Sequence, residues 1–387
     1  MELTHTPAVR QESSAKTEQP KERNYQLDFL KLVFSVLVVI YHMIDLCCQS
    51  FIPEGSWLNR TYGQWGVYAV HFFFIVSGML MANSIAKKHL SDGCSKASID
   101  FVIKKYLSLA WPIITSIVLC TTTTVVIKLL QGKIHGFSEV ADTFLKSVPE
   151  LLMVSRSGVG GMYNVPLWYI SAMLLCMLPL SYLLFRKRNF TLYVFSPLAA
   201  LFILGYMCQA NDYNFFDNAT QYGFFEGAIY RAMSGLCFGI CAYTICEKIK
   251  RINPNKNMRC LFTVWEVLLY GLFFLELFKP SGEQAMMGAS LLLPIAVGMT
   301  FSGKCFTQRL FRFKWMKYCA PLSLYLYLNN RVGIRICEFY FKDYGMLFNL
   351  KMAAICTIAF SLLNYVIVYF GKLLWTKKLK PAFTRPD

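Results

Sequence analysis

The sequence predicts an all-α, polytopic membrane bundle of about ten transmembrane helices with both termini cytoplasmic. Three observations predict it. Of the 387 residues, 56% are hydrophobic and only 16% charged, and the mean hydropathy is +0.42. Apolar runs of about 20 residues recur along the chain, each long enough to cross a hydrocarbon core. The runs are continuous rather than alternating, and in lipid every backbone polar group needs an internal partner, so they read as helices.

Spans are expected, in order, at 27–47, 64–86, 106–130, 165–185, 191–209, 228–247, 260–278, 285–302, 319–338 and 348–371. The connections support that count. Lys and Arg total 27 in the N-terminal tail, the even-numbered connections and the C-terminal tail. They total 6 in the connections after spans one, three, five, seven and nine. Such asymmetry places the rich side in the cytoplasm. It divides the chain into a polar cytoplasmic tail (1–25), a membrane domain (26–372) and a basic cytoplasmic tail (373–387). The first tail has no apolar h-region, so no cleavable signal peptide is expected.

The net charge of +17 follows from this loop bias, and no basic stretch sits in a soluble domain, which argues against nucleic acid. The 14 cysteines lie mostly in apolar runs, where a thiol behaves as a small hydrophobe. No C-x-x-C pair suggests zinc or redox chemistry, and no metal is expected.

The first span carries an unusual face. Lys31 and His42 are eleven residues apart, within about 20° of three full helical turns, and about 16 Å apart along the axis. Asp28 and Asp45 lie close to the same stripe. Charge inside a span is costly and marks a functional candidate. The stripe either binds something charged at the cytoplasmic mouth and holds a base further in, or forms a structural polar seam.

Other residues follow in chain order. His71 lies deep on the second span. The connection 131–164 contains FSEVADTFLKSVPELLMV, whose spacing predicts a short interfacial helix; its glycine cluster reads as a hinge or surface turn. Trp168 and Tyr169 are either interfacial anchors or a platform for a sugar ring. Lys128 and Lys351 are expected to snorkel. Arg231 is either an anchor or a binder of an oxyanion or anionic acceptor. Arg331 and Arg335, four residues apart, need a partner such as Glu338; a structural ion network is favoured over acceptor binding.

Six segments together resemble the acyltransferase 3 family of integral-membrane acyltransferases. LDFLKLVFSVLVVIYH resembles its opening helix, with a basic residue ahead of an essential His, here Lys31 and His42. AVHFFFIVSGMLM resembles its second-helix signature, matching Phe73, Phe74, Ser77 and Gly78. FVIKKYLSLAWP, PLWYIS, RAMSGLCFGICAY and LSLYLYLNN follow in the family's order, between about residues 25 and 340. There are departures: Lys31 replaces the usual Arg, His71 an acid, Ser108 an expected Arg and Asn330 a late His, while Lys104 and Lys105 stand in for an arginine-rich motif.

The resemblance implies acyl transfer, most often acetyl, from cytoplasmic acyl-CoA to a hydroxyl of a surface polysaccharide or lipid-linked glycan. No metal is implied. Lys31, Lys104 and Lys105 are then expected to hold the CoA phosphates. His42 is the general base or acyl carrier, with Asp45 or Asp28 orienting it. Arg231, Trp168, Tyr169 and Ser77 are assigned to the acceptor or oxyanion. The expected location is a bacterial cytoplasmic membrane, among membrane lipids, with no prediction of oligomeric state. The competing reading is a secondary transporter or glycan flippase, although no internal repeat supports it.

Overall fold

In a computed structural model, the described residues are 23–52, 57–88, 93–157, 162–210, 218–278 and 283–375. Most of the two expected tails lies outside them. The long helices are α1 (Tyr25–Cys47), α2 (Trp57–Ile85) and α3 (Cys94–Leu130), then the short α4 (Phe137–Leu145) and α5 (Val148–Leu151). They are followed by α6 (Leu167–Arg186), α7 (Arg188–Ala210, with a π-helical stretch over Thr191–Phe195) and α8 (Gly227–Arg251). Last come α9 (Lys256–Phe278), α10 (Glu283–Ser302), α11 (Cys319–Tyr340) and α12 (Met346–Leu374). A two-residue hairpin, β1 (Gln221–Tyr222) with β2 (Phe225–Glu226), precedes α8.

Nine of the described helices are long and apolar enough to cross a membrane. The tenth expected span, α11, is a 22-residue helix but is less apolar. It carries Asn329, Asn330, Arg331, Arg335 and Glu338. It nevertheless packs between α1, α3 and α12, and its polar residues face protein rather than lipid: Asn329 and Asn330 are fully buried. The expected interfacial segment forms α4, whose Phe137 and Leu145 are exposed along with Leu152 just beyond α5.

Local sequence sets α1. Asn24 caps its N-terminus by accepting from the Leu27 N–H at 3.0 Å, which satisfies an otherwise orphaned donor. Asp28 in the first turn complements the positive end of the helix. Packing then makes α1 central, wedged between α2 and α11. Phe34 stacks on Phe72 of α2 (centroids 4.1 Å) and on Phe274 of α9 (5.4 Å). Burial separates inner from outer helices: 72% of the most apolar window is buried in α2 and α6, but 28% in α9 and α12. The last two therefore present their apolar faces outward.

Buried polar seams tie the bundle together. Glu266 of α9, fully buried, accepts from Gln26 of α1 (2.9 Å), from Thr300 of α10 (2.6 Å) and from Thr307. Asn364 of α12 donates to the Pro112 carbonyl of α3 (3.0 Å) and to Asn329 of α11 (3.2 Å). Each such bond joins helices that lipid alone would not drive together.

Candidate active site

The polar stripe of α1 faces inward, onto two of three neighbouring cavities. At the end where α1 begins, one cavity of about 370 Å³ is lined by Lys88, Lys104 and Lys105 with Asn83 and Ser84. The next, about 180 Å³, is lined by Lys31, Ser35, Lys105, Tyr169, Ser323 and Tyr327. The two share Ser77, Leu80 and Lys105. Lys31 is 3.9 Å from Asp28, which also takes Arg23 at 2.5 Å. The α1–α11 contact here is polar: Ser35 and Ser323 hydroxyls lie 2.6 Å apart, and Ser323 donates to the Lys31 carbonyl at 3.0 Å.

The third cavity, about 250 Å³, holds His42 and Asp45 from α1. Its wall includes Arg156, Trp168, Asn218, Tyr327, Asn330 and Arg331. Tyr327 is thus shared with the lysine-lined side. Its hydroxyl donates to the Pro166 carbonyl at 2.7 Å. Its ring sits 5.9 Å from Tyr169 and 6.1 Å from Phe73. Tyr169 is fixed in turn by the Ser77 hydroxyl at 2.9 Å and by donating to the Phe73 carbonyl at 3.1 Å. An aromatic layer of three rings therefore separates the two lysine-lined cavities from the histidine.

The connection between α3 and α6 presents Arg156, and a buried carboxylate holds that connection. Glu150 accepts from the backbone N–H groups of Asn164 (2.8 Å) and Tyr163, so it joins the two ends of the loop. Burial raises its carboxyl above the ordinary value, opposed by those N–H groups and by Arg335. Arg335 donates to Thr124 and to the Tyr163 carbonyl (3.2 Å). Arg156 lies 3.4 Å from Glu226 of the hairpin.

A family model described as an acyltransferase domain matches residues 24–371. The chain belongs to this acyltransferase family. No curated protein and no solved structure matches it. Family membership makes the chain a membrane acyltransferase and displaces the transporter reading. The match contains all three cavities, from Lys31 through Arg331.

The geometry of the acyltransferase sorts the expected site residues. Lys31, Lys104 and Lys105 do come together, joined by Lys88, which was not singled out from sequence. His42 and Asp45 share one wall, although among the described residues no hydrogen bond joins them. Asp28 does not meet His42. It lies about 21 Å below on the same helix, engaged with Arg23 and Lys31, too far to orient the imidazole.

Trp168 lines the histidine cavity, but Tyr169 and Ser77 line the lysine side. Trp168 and Tyr169 part company because consecutive helical side chains point about 100° apart, while Ser77 meets Tyr169 from α2. Arg231 stands behind the cavity wall. It donates to Asn218 and lies 5.1 Å over the Trp168 ring, so it positions two wall residues. His71 is buried against Phe238 and lines none of the three cavities. Arg331 takes Glu338 at 3.3 Å, as the ion network required. Arg335 instead serves the Tyr163 loop. The sequence reading missed Arg156, Asn218 and Tyr327. Arg156 had one available signal, a basic residue on the side where bases are scarce.

Proposed function

We propose that this acyltransferase moves an acyl group, acetyl by its family resemblance, from cytoplasmic acyl-CoA to a hydroxyl of a glycan at the outer face, with His42 as general base. The observation that carries the reading is that α1 lines two cavities, with Lys31 in one and His42 in the other and Tyr327 shared between them, and that the Lys31 cavity adjoins a third lined by Lys88, Lys104 and Lys105. Four ammonium groups suit the phosphates of CoA. An axial distance of about 16 Å from Lys31 to His42 suits its extended arm, whose thioester passes the layer at Tyr327.

The acceptor hydroxyl enters from the outer side. His42 takes its proton as the oxygen attacks the thioester carbonyl. The C–S bond breaks, the new ester stays on the acceptor, and the imidazolium returns the proton to the departing thiolate. Asp45, on the same wall, favours the imidazolium electrostatically.

The test is transfer of labelled acetyl from acetyl-CoA into the glycan and lipid fraction of membranes carrying the protein. His42→Ala, expressed to the same level, should lose at least about 100-fold in rate. Label on the protein at His42 in the absence of acceptor would make it an acyl carrier. Equal incorporation by both proteins would remove His42 from the chemistry.

A further inference from the structure

We infer that the outer cavity selects an acceptor that carries a negative charge, a carboxylate or a phosphate, beside the hydroxyl to be acylated, and that Arg156 and Arg331 are its specificity determinants. The inference rests on the reading that the acceptor occupies the His42 cavity.

Two guanidinium groups line that cavity from different parts of the fold, Arg331 from α11 and Arg156 from the connection before α6. Asp45 is the one acidic side chain on the wall as described. Each arginine reaches one glutamate with a single terminal nitrogen, at 3.3 Å to Glu338 and 3.4 Å to Glu226. Neither glutamate lines the cavity. In both arginines the Nε is buried and has no hydrogen-bond partner, and the same holds for the Oδ1 of Asn330 beside them.

A buried donor left unmade is costly, and a guanidinium inside a membrane domain more so. The Nε–H and a terminal N–H form the planar fork that grips a carboxylate or phosphate in two parallel bonds. Glutamate contact through one terminal nitrogen leaves that fork open. Asn330 Oδ1 adds an acceptor for a sugar hydroxyl.

Backbone conformation points the same way. Arg156 has a φ of +68°, a region an arginine adopts only when its surroundings impose it. Its loop is imposed on: Glu150 clamps the backbone at Tyr163 and Asn164, and the Tyr106 hydroxyl of α3 donates to the Leu151 carbonyl at 2.9 Å. The fold thus holds one guanidinium at the cavity in a strained loop and a second there, partly buried, with its Nε unpartnered.

Binding to the full-length protein in phosphatidylcholine nanodiscs tests this without any acyl transfer. Three probes are compared: octyl β-D-glucuronide, octyl β-D-glucoside and decyl glucosyl phosphate. The expected result is that at least one charged probe binds about tenfold or more tighter than the neutral glucoside. Which charged probe wins separates an acidic sugar from a phosphate-linked one. Arg156→Gln and Arg331→Gln should each bring the ratio towards one while acetyl-CoA affinity is unchanged; the Lys variants should fall between. Equal binding of all three probes to the unaltered protein overturns the inference, as does an undiminished ratio in both folded Gln variants. If neither variant folds, the unaltered protein decides alone, because a charge-selective ratio must shrink as salt is raised. Charge-selective binding without acetyl transfer in the labelling assay would instead overturn acetyl as the transferred group and leave this inference standing.

Discussion

Tyr327 has two jobs that separate by substitution. Its ring closes the layer between the lysine-lined and histidine-lined cavities, and its hydroxyl anchors the Pro166 carbonyl. Tyr327→Phe keeps the ring and removes one buried bond, at a cost of about 1 kcal/mol. Tyr327→Ala joins the cavities. Water then meets the thioester, and acetyl-CoA hydrolysis without acceptor should rise at least severalfold over the unaltered protein, measured as free thiol released in membranes. No rise would mean that Tyr327 does not close the path. At this scale the sequence was informative where one helix carried the whole pattern: Lys31 and His42 share a face because their spacing fixes it. It was silent on Tyr327 and Arg156, whose roles depend on which helix or loop lies opposite. It misled on Asp28, since a shared stripe does not imply proximity along it.

Helix pairs in lipid lack a hydrophobic drive to associate, and the α2–α8 pair meets through glycine. A Cβ on Gly78 would strike the Leu236 backbone carbonyl, and one on Gly239 would strike the Ile75 carbonyl. Backbone cannot step aside, so Gly78→Ala should cost about 3 kcal/mol, the upper end for overpacking. Gly205→Ala on α7, with open space around it, should change the detergent-solubilised melting temperature little. Similar melting of both variants would contradict the close approach. The loop clamp gives a pH signature. Burial raises the Glu150 carboxyl above 4.5, so the folded state binds a proton that the unfolded state has released. Stability on this account is full below pH 4.5 and falls as pH rises through the raised value. Glu150→Gln should flatten the dependence of melting temperature on pH across that window while keeping an acceptor for the Tyr163 and Asn164 N–H groups. A dependence identical to the unaltered protein would place its origin elsewhere. Nine of the ten spans were legible because apolar length alone marks them. The tenth, α11, was legible despite its charges because loop polarity demanded one more crossing, and the structure shows why they are tolerated: Asn329, Asn330 and Arg331 meet protein or cavity.

For the molecule as a whole, the distribution of lysine and arginine predicts which end faces the cytoplasm. Phe224, at the hairpin tip and 93% exposed, lies on the His42 side by the order of the spans. Cys260 is exposed near the start of α9, at the opposite side. A membrane-impermeant thiol reagent applied to intact cells should label Phe224→Cys and reach Cys260 only after permeabilisation; the reverse would invert the orientation and with it the direction of transfer. The order of cavities was not legible in sequence, because it arises from α1, α2, α3, α6 and α11 converging. What was legible was the contrast between a lysine-rich end and a histidine further in. The single aromatic layer has an electrical consequence. On the proposed route the thioester arm crosses it uncharged and returns as an uncharged thiol, while every phosphate stays on the lysine side. An acyl group leaves and a hydrogen atom's equivalent returns, so the charge on each side of the membrane is unaltered by turnover. On that route the membrane voltage, worth about 2.3 kcal/mol per charge per 100 mV, therefore neither drives nor resists the reaction.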